Sequence, residues 1–137
     1  MISIMIPGQP IAQPRHKIAV RGGFAKAYID GKHPIHAYKQ TIELIASQAI
    51  NGNPPLTCPL SVRIAFVFQR PASHSKKRRA IIDEPHSQKP DIDNLCKGIF
   101  DGLNKVVWAD DSQVVCLTTV KRWANEGEEP FCRVEVF

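Results

Sequence analysis

Apolar residues alternate near both ends of the chain and recur at helical spacing twice between them. Ile2, Ile4 and Ile6 fall on one side of a first strand. Gly8, Pro10 and Pro14 break that pattern, and Gly22-Gly23 after the basic run Arg15–Arg21 predicts a short hairpin. Ile35, Tyr38, Ile42, Ile45, Ala46 and Ala49 then form one apolar helical face. Pro34 suits its first turn, Asn51-Gly52 its end, and Pro54-Pro55 forbids continuation. From Leu60 to Phe68 the alternation is clean, which predicts a strand with one strongly buried face.

The pattern lapses between Pro71 and Lys89, where Lys76, Lys77, Arg78, Arg79 and Lys89 outnumber Asp83 and Glu84. This stretch reads as a mobile basic loop. A second amphipathic helix follows, roughly Ile92 to Val107, with Leu95, Cys96, Ile99, Leu103 and Val107 on its apolar side. Gln113 to Arg122 reads as a strand whose start, Val114 to Leu117, is apolar on both faces, as in the interior of a sheet. Cys132, Val134 and Val136 mark the last strand. The fold class that results is α+β: a single domain over residues 1–137, a mixed β-sheet with two main helices packed on it.

Composition sharpens this picture in one direction. The 137 residues carry 18 Lys and Arg against 13 Asp and Glu, a formal charge of +5, which favours an anionic partner such as nucleic acid. Four cysteines stand apart with no C-x-x-C pair, which argues against zinc and for buried reduced thiols. The five histidines lack ligand spacing and read as surface residues, whereas Trp108 and Trp123 read as packing. The Met1–Ile6 start is too short for a signal-peptide core, and no apolar run reaches membrane-spanning length, so a cytoplasmic protein is expected. Phosphate-binding glycine loops, G-x-S-x-G and H-E-x-x-H are absent, which leaves a nucleotide cofactor without a site.

The acids are where chemistry concentrates. Asp91 and Asp93 bracket the start of the second helix, Lys97 lies one turn beyond Asp93, and Asp110-Asp111 follow the helix. Carboxylates gathered behind a basic loop suit a hard divalent cation facing a phosphate. Ordinary readings stand beside this one: Asp91 as a helix cap, Asp93 with Lys97 as a surface pair, and Asp110-Asp111 as a turn.

The stretch KPDIDNLCKGIFDGLNKVVWADDSQV resembles the signature of RusA-type Holliday junction resolvases, a phage- and prophage-borne family of crossover junction endodeoxyribonucleases. The motif D-x-D-N-x-x-K, an amphipathic helix and then D-D-S-Q carries the likeness, and IPGQPIAQPR resembles the opening of many members. The resemblance implies a Mg²⁺-dependent homodimer, with Mn²⁺ as a substitute, that nicks opposing strands of four-way or branched DNA in recombination and repair. It implies that Asp91, Asp93 and Asp111 bind metal and that Lys97 is catalytic. Asn94, Asp101 and Asp110 would support the site, and Arg15, Lys76, Lys77, Arg78, Arg79 and Lys89 would contact DNA. Gln13 departs from the basic residue many members carry before Pro-Arg. The alternatives are a DNA-binding module without catalysis and a nuclease of broader branched-DNA specificity.

Overall fold

The computed structural model describes residues 1–137. Strand β1 (Ile2–Pro7) is followed by a hairpin of β2 (Lys17–Arg21) and β3 (Phe24–Tyr28), then helix α1 (Ile35–Ile50) and strand β4 (Leu60–Phe68). A four-residue helix α2 (Lys76–Arg79), helix α3 (Ile92–Leu103), strand β5 (Val114–Trp123) and strand β6 (Phe131–Val136) complete the chain. The main sheet has the order β1-β6-β4-β5. β6 runs antiparallel to β1 and β4, and β5 runs parallel to β4, so the sheet is mixed. No helix is long and apolar enough to cross a membrane.

Helices α1 and α3 bury their apolar stripes on one face of this sheet. The core joins Ile4 and Ile6 of β1, Val62, Ile64 and Phe66 of β4, and Val134 and Val136 of β6 to Ile35 and Ile42 of α1 and Leu95, Ile99 and Leu103 of α3. The sheet's other face is open, with the ion pair Arg63–Glu135 at 3.7 Å across it. This two-layer arrangement follows from the alternation in each strand, since only one side of β1, β4 and β6 is apolar.

Two findings differ from the sequence expectation. The apolar start of β5 suggested an interior strand, yet β5 is an edge of the sheet and leaves Val115, Leu117 and Val120 exposed. Periodicity reports that a position wants cover; it does not say that this chain supplies it. Cys96 and Cys132 are buried as expected, but Cys58 and Cys116 are exposed, Cys116 because it lies on that same edge.

The helices touch more closely than their side chains suggest, because α3 presents glycine to α1. A Cβ built on Gly102 meets Ile42 Cγ2 at 2.6 Å and Ile42 Cβ at 2.9 Å. On Gly98 it meets Ile35 Cδ1 at 3.2 Å. Lys39 of α1 and Asp101 of α3 pair at 2.9 Å beside this contact. Ile42 Cβ sits against its own backbone and has nowhere to swing. Gly102→Ala is therefore expected to destabilise the fold by about 1–2 kcal/mol, overpacking outweighing the roughly 1 kcal/mol that alanine gains in helix propensity. Urea unfolding of the variant checks this, and a midpoint equal to or above wild type would remove the contact from the account.

Candidate active site

Helix α3 begins at the end of a segment folded tightly against the sheet. The stretch 71–89, expected as a mobile basic loop, carries α2 and a set of internal ties. Arg70 is buried and binds Glu84 at 2.6 Å, the Ala124 carbonyl at 3.0 Å and the Ile81 carbonyl at 3.0 Å. Arg78 adds a second bond to Glu84 at 2.8 Å, and Arg79 binds the carbonyls of His74 and Pro71. Arg78 and Arg79 are thus committed to the fold, whereas Lys76 and Lys77 stand exposed beside them. The two arginines hold the Glu84 carboxyl below the usual carboxylate range.

Two histidines expected at the surface are buried in the same region. His86 stacks on Trp123 with ring centroids 3.9 Å apart, and His74 meets the Trp123 ring edge-on at 4.8 Å. Both pack into an aromatic cluster that a sequence without ligand spacing does not announce. Burial, with the neighbouring Lys121 charge, holds the His86 pKa below that of a free imidazole, and burial with Arg78 and Arg70 does the same for His74.

Past this anchor, Lys121 of β5 donates to the carbonyls of Gln88 and Pro90, the latter at 2.7 Å, and so fixes the backbone leading into Asp91. Sequence reasoning missed this positioning residue, because only the parallel pairing of β4 with β5 brings it to the head of α3. A cleft of about 1040 Å³ opens there, bordered by His86, Lys89, Asp91, Asp93, Thr119 and Lys121. On one side it adjoins a cavity lined by Gln13, Arg15, His33, Lys89, Asp91 and Asn94. On the other, Asp93, Lys97, Asp101, Asp111, Leu117 and Thr119 line a further hollow along α3.

The ordinary readings of the first acids hold for position but not for side-chain bonding. Asp91 occupies the cap position of α3 but makes no side-chain capping bond. Asp93 and Lys97 form no ion pair; both stay exposed and uncommitted. The ordinary reading holds for Asp110, which caps the 3₁₀ turn Asp111–Gln113 in a reciprocal capping box with Gln113. Asp111 accepts a 2.8 Å bond from the buried Trp108 indole N–H, which ties one of its oxygens to the core. Asp101 is held by Lys39, and the Asn94 carbonyl accepts the Gln13 amide at 2.9 Å, linking the N-terminal segment to α3. Gln13 itself is buried with its side-chain oxygen unpartnered.

The expected convergence of Asp91, Asp93 and Asp111 on one point is not present. No three His, Cys, Asp or Glu side chains gather closely enough to hold a metal ion. Asp91 and Asp93 share the cleft at the head of α3, while Asp111 shares only the hollow along the helix with Asp93. Asp111 is instead tied to the core by the Trp108 indole N–H, on the hollow side of α3. The donor chemistry still suits Mg²⁺ or Mn²⁺, hard cations that take one or two carboxylates and complete their shell with water and phosphate oxygens.

A pH dependence of stability follows from the buried histidines. Unfolding frees both to titrate near the ordinary value of about 6.5. The native state holds them neutral to lower pH, so the unfolded state binds more protons below that value. Stability is expected to be flat above about pH 7 and to fall as pH drops through 6.5 towards 5, ahead of the loss from carboxylates such as Glu84. Urea midpoints across that window check this, and His74→Gln with His86→Gln should flatten the slope.

Comparison with known proteins places this sequence in a family. The model of the family described as endodeoxyribonuclease RusA matches residues 7–136. The chain is also 34% identical over 140 residues to the uncharacterized protein YqaN of Bacillus subtilis (strain 168), covering 98% of this chain and 93% of that one. With the family match spanning both the acidic helix head and the N-terminal segment joined to it, the chain belongs to the RusA family of endodeoxyribonucleases.

Proposed function

We propose that this protein is a structure-selective endonuclease that resolves Holliday junctions, cutting opposing strands symmetrically as a Mg²⁺-dependent homodimer. One observation carries the reading: Asp91, Asp93 and Lys97 are left without internal partners around the head of α3, beside Lys89. Folding has used Asp101, Asp110, Lys39, Arg70, Arg78 and Arg79, but not these.

Asp91 and Asp93 would hold the cation, with Asp111 the further carboxylate along the same helix. The ion supplies charge stabilisation at the scissile phosphate and lowers the pKa of bound water. Lys97, one helical turn from Asp93, would neutralise charge building on the phosphate. Lys89 and Arg15 border the acids and would hold the flanking backbone, with Lys76 and Lys77 beyond them. Lys121 keeps the approach to Asp91 fixed.

The expected outcome is Mg²⁺-dependent cutting of a synthetic four-way junction by wild type, reduced at least about 100-fold in Asp93→Asn and in Asp91→Asn with junction binding retained. Lys97→Met should cost about 10²–10³-fold in rate. Cutting at wild-type rates by either Asn variant would sink the mechanism, and comparable rates on flap or linear duplex would broaden the substrate class.

The homodimer is supported by the free edge of β5. Its outer rim is covered at Lys121 to Trp123 by the 84–86 segment, through His86 N–H to the Lys121 carbonyl and Trp123 N–H to the Glu84 carbonyl. The stretch VVCLTTV from Val114 to Val120 is uncovered, bears no charge or proline, and exposes Val115 to 71%. Such an edge is a template for pairing, and pairing with a second copy across a two-fold axis closes it. Val115→Lys is accordingly expected to shift sedimentation from dimer to monomer with the circular dichroism unchanged, whereas a persisting dimer would move the interface elsewhere.

A further inference from the structure

The β2–β3 hairpin stands off the body of the protein, each strand packing chiefly on the other. Gly22 and Gly23 at its tip both have positive φ, 57° and 83°, as a tight two-residue hairpin turn requires. Its register pairs Lys17 with Tyr28, Ala19 with Lys26, and Arg21 with Phe24. Because facing residues in a ladder share a side, Lys17, Arg21 and Lys26 lie on one face with Phe24 and Tyr28. Arg21, Phe24, Lys26 and Tyr28 line a common groove on that face. Phe24, next to the tip, is 79% exposed. Lys17 is bonded to Asp30, whereas Arg21 and Lys26 have no internal partner. Ile18, Val20, Ala25 and Ala27 make up the other face, so the charge is wholly one-sided.

The root of the hairpin borders the proposed catalytic cleft. Arg15, just before β2, and His33, just after β3, line the cavity that also holds Asp91 and Lys89. Five residues per strand reach about 17 Å from that root, on the order of the thickness of a DNA duplex. A two-stranded ribbon alone in water is marginal, so a ligand that lies along its groove would order it.

We propose that this hairpin is a DNA arm: Arg21 and Lys26 contact backbone phosphates, and Phe24 and Tyr28 stack on bases left unpaired at a branch point. Cations interleaved with exposed aromatic rings match the chemistry of a nucleic acid strand whose bases are open, since a closed duplex offers phosphates to the cations but no ring faces. The choice of DNA as ligand rests on the nuclease reading; the assignment to this arm rests on the register and the groove.

The test is binding in EDTA, where cutting is silent, to a four-way junction carrying 2-aminopurine at its centre and to a linear duplex. Phe24→Ala is expected to weaken junction binding about tenfold, to leave duplex binding within about twofold, and to abolish the 2-aminopurine signal. Arg21→Gln with Lys26→Gln should weaken both and lower the slope of log affinity against log salt by about 1.5. Thermal melts of these variants should match wild type, because the hairpin supports no other element. Junction binding and signal unchanged in Phe24→Ala, or equal losses on junction and duplex, would overturn the arm. Cutting of the junction by wild type with Mg²⁺ is read separately. If wild type cuts while Phe24→Ala binds normally, the arm alone fails; if binding depends on Phe24 but wild type does not cut, the nuclease reading alone fails.

Discussion

The seat of α3 on α1 is the contact on which the rest depends. Gly102 lets the backbone of α3 approach Ile42 to a distance that no side chain would allow, and Gly98 makes a close contact with Ile35. That depth lets Leu95, Ile99 and Leu103 reach the sheet while Asp93 and Lys97 stay in solvent. It also sets where the chain must go next. Leaving β4, the chain has to cross the sheet's end, enter α3 at Asp91 and return parallel to β4 as β5. The head of the helix is thereby held beside the C-terminal end of β5, where Lys121 can grip the carbonyls before Asp91.

Charge is sorted by the same packing. Buried Arg70 sits between Glu84, two backbone carbonyls and His74, a position that would be costly if any partner were lost. Arg122 is likewise consumed by Glu128 at 2.6 Å. These ionic ties, with the Trp123–His86 stack, lay a stretch of low apolar content as a strap across the end of the sheet. The strap also determines the direction from which Lys89, Pro90 and Asp91 arrive.

Much of this was legible in the sequence, for identifiable reasons. The alternation in Ile2–Ile6 and Leu60–Phe68 and the helical spacing from Ile35 and from Leu95 record burial at each position, and burial on one face is what the sheet and helices supply. The acidic motif was legible because its residue types are chemically specific at fixed spacing. What stayed hidden depends on partners distant in sequence. Lys121 and His86 acquire their roles only through pairings across the fold, and Asp111 shares the hollow along α3 with Asp93 but not the cleft that holds Asp91. The edge position of β5 was hidden for a related reason, since its apolar pattern is the same whether the covering strand is internal or comes from another copy.

The distribution of uncommitted charge bears on how an acidic centre can meet DNA at all. Asp91 and Asp93 alone would repel a phosphate backbone. Around them, however, Arg15, Arg21, Lys26, Lys76, Lys77 and Lys89 remain unpaired, and they lie on the N-terminal segment, the hairpin and the strap rather than on α3. Attraction to DNA can therefore come from the rim, where contacts are exposed and weakened by salt. At the centre, neither Asp91 nor Asp93 is taken up in an internal ion pair. Had Arg78 and Arg79 stood near Asp91 instead of folding back on Glu84, His74 and Pro71, they would have neutralised the acids and competed with a divalent ion for them. Under the proposed function the internal ties of the strap serve the site by keeping Arg78 and Arg79 off Asp91 and Asp93, whose carboxylates stay open to a divalent ion.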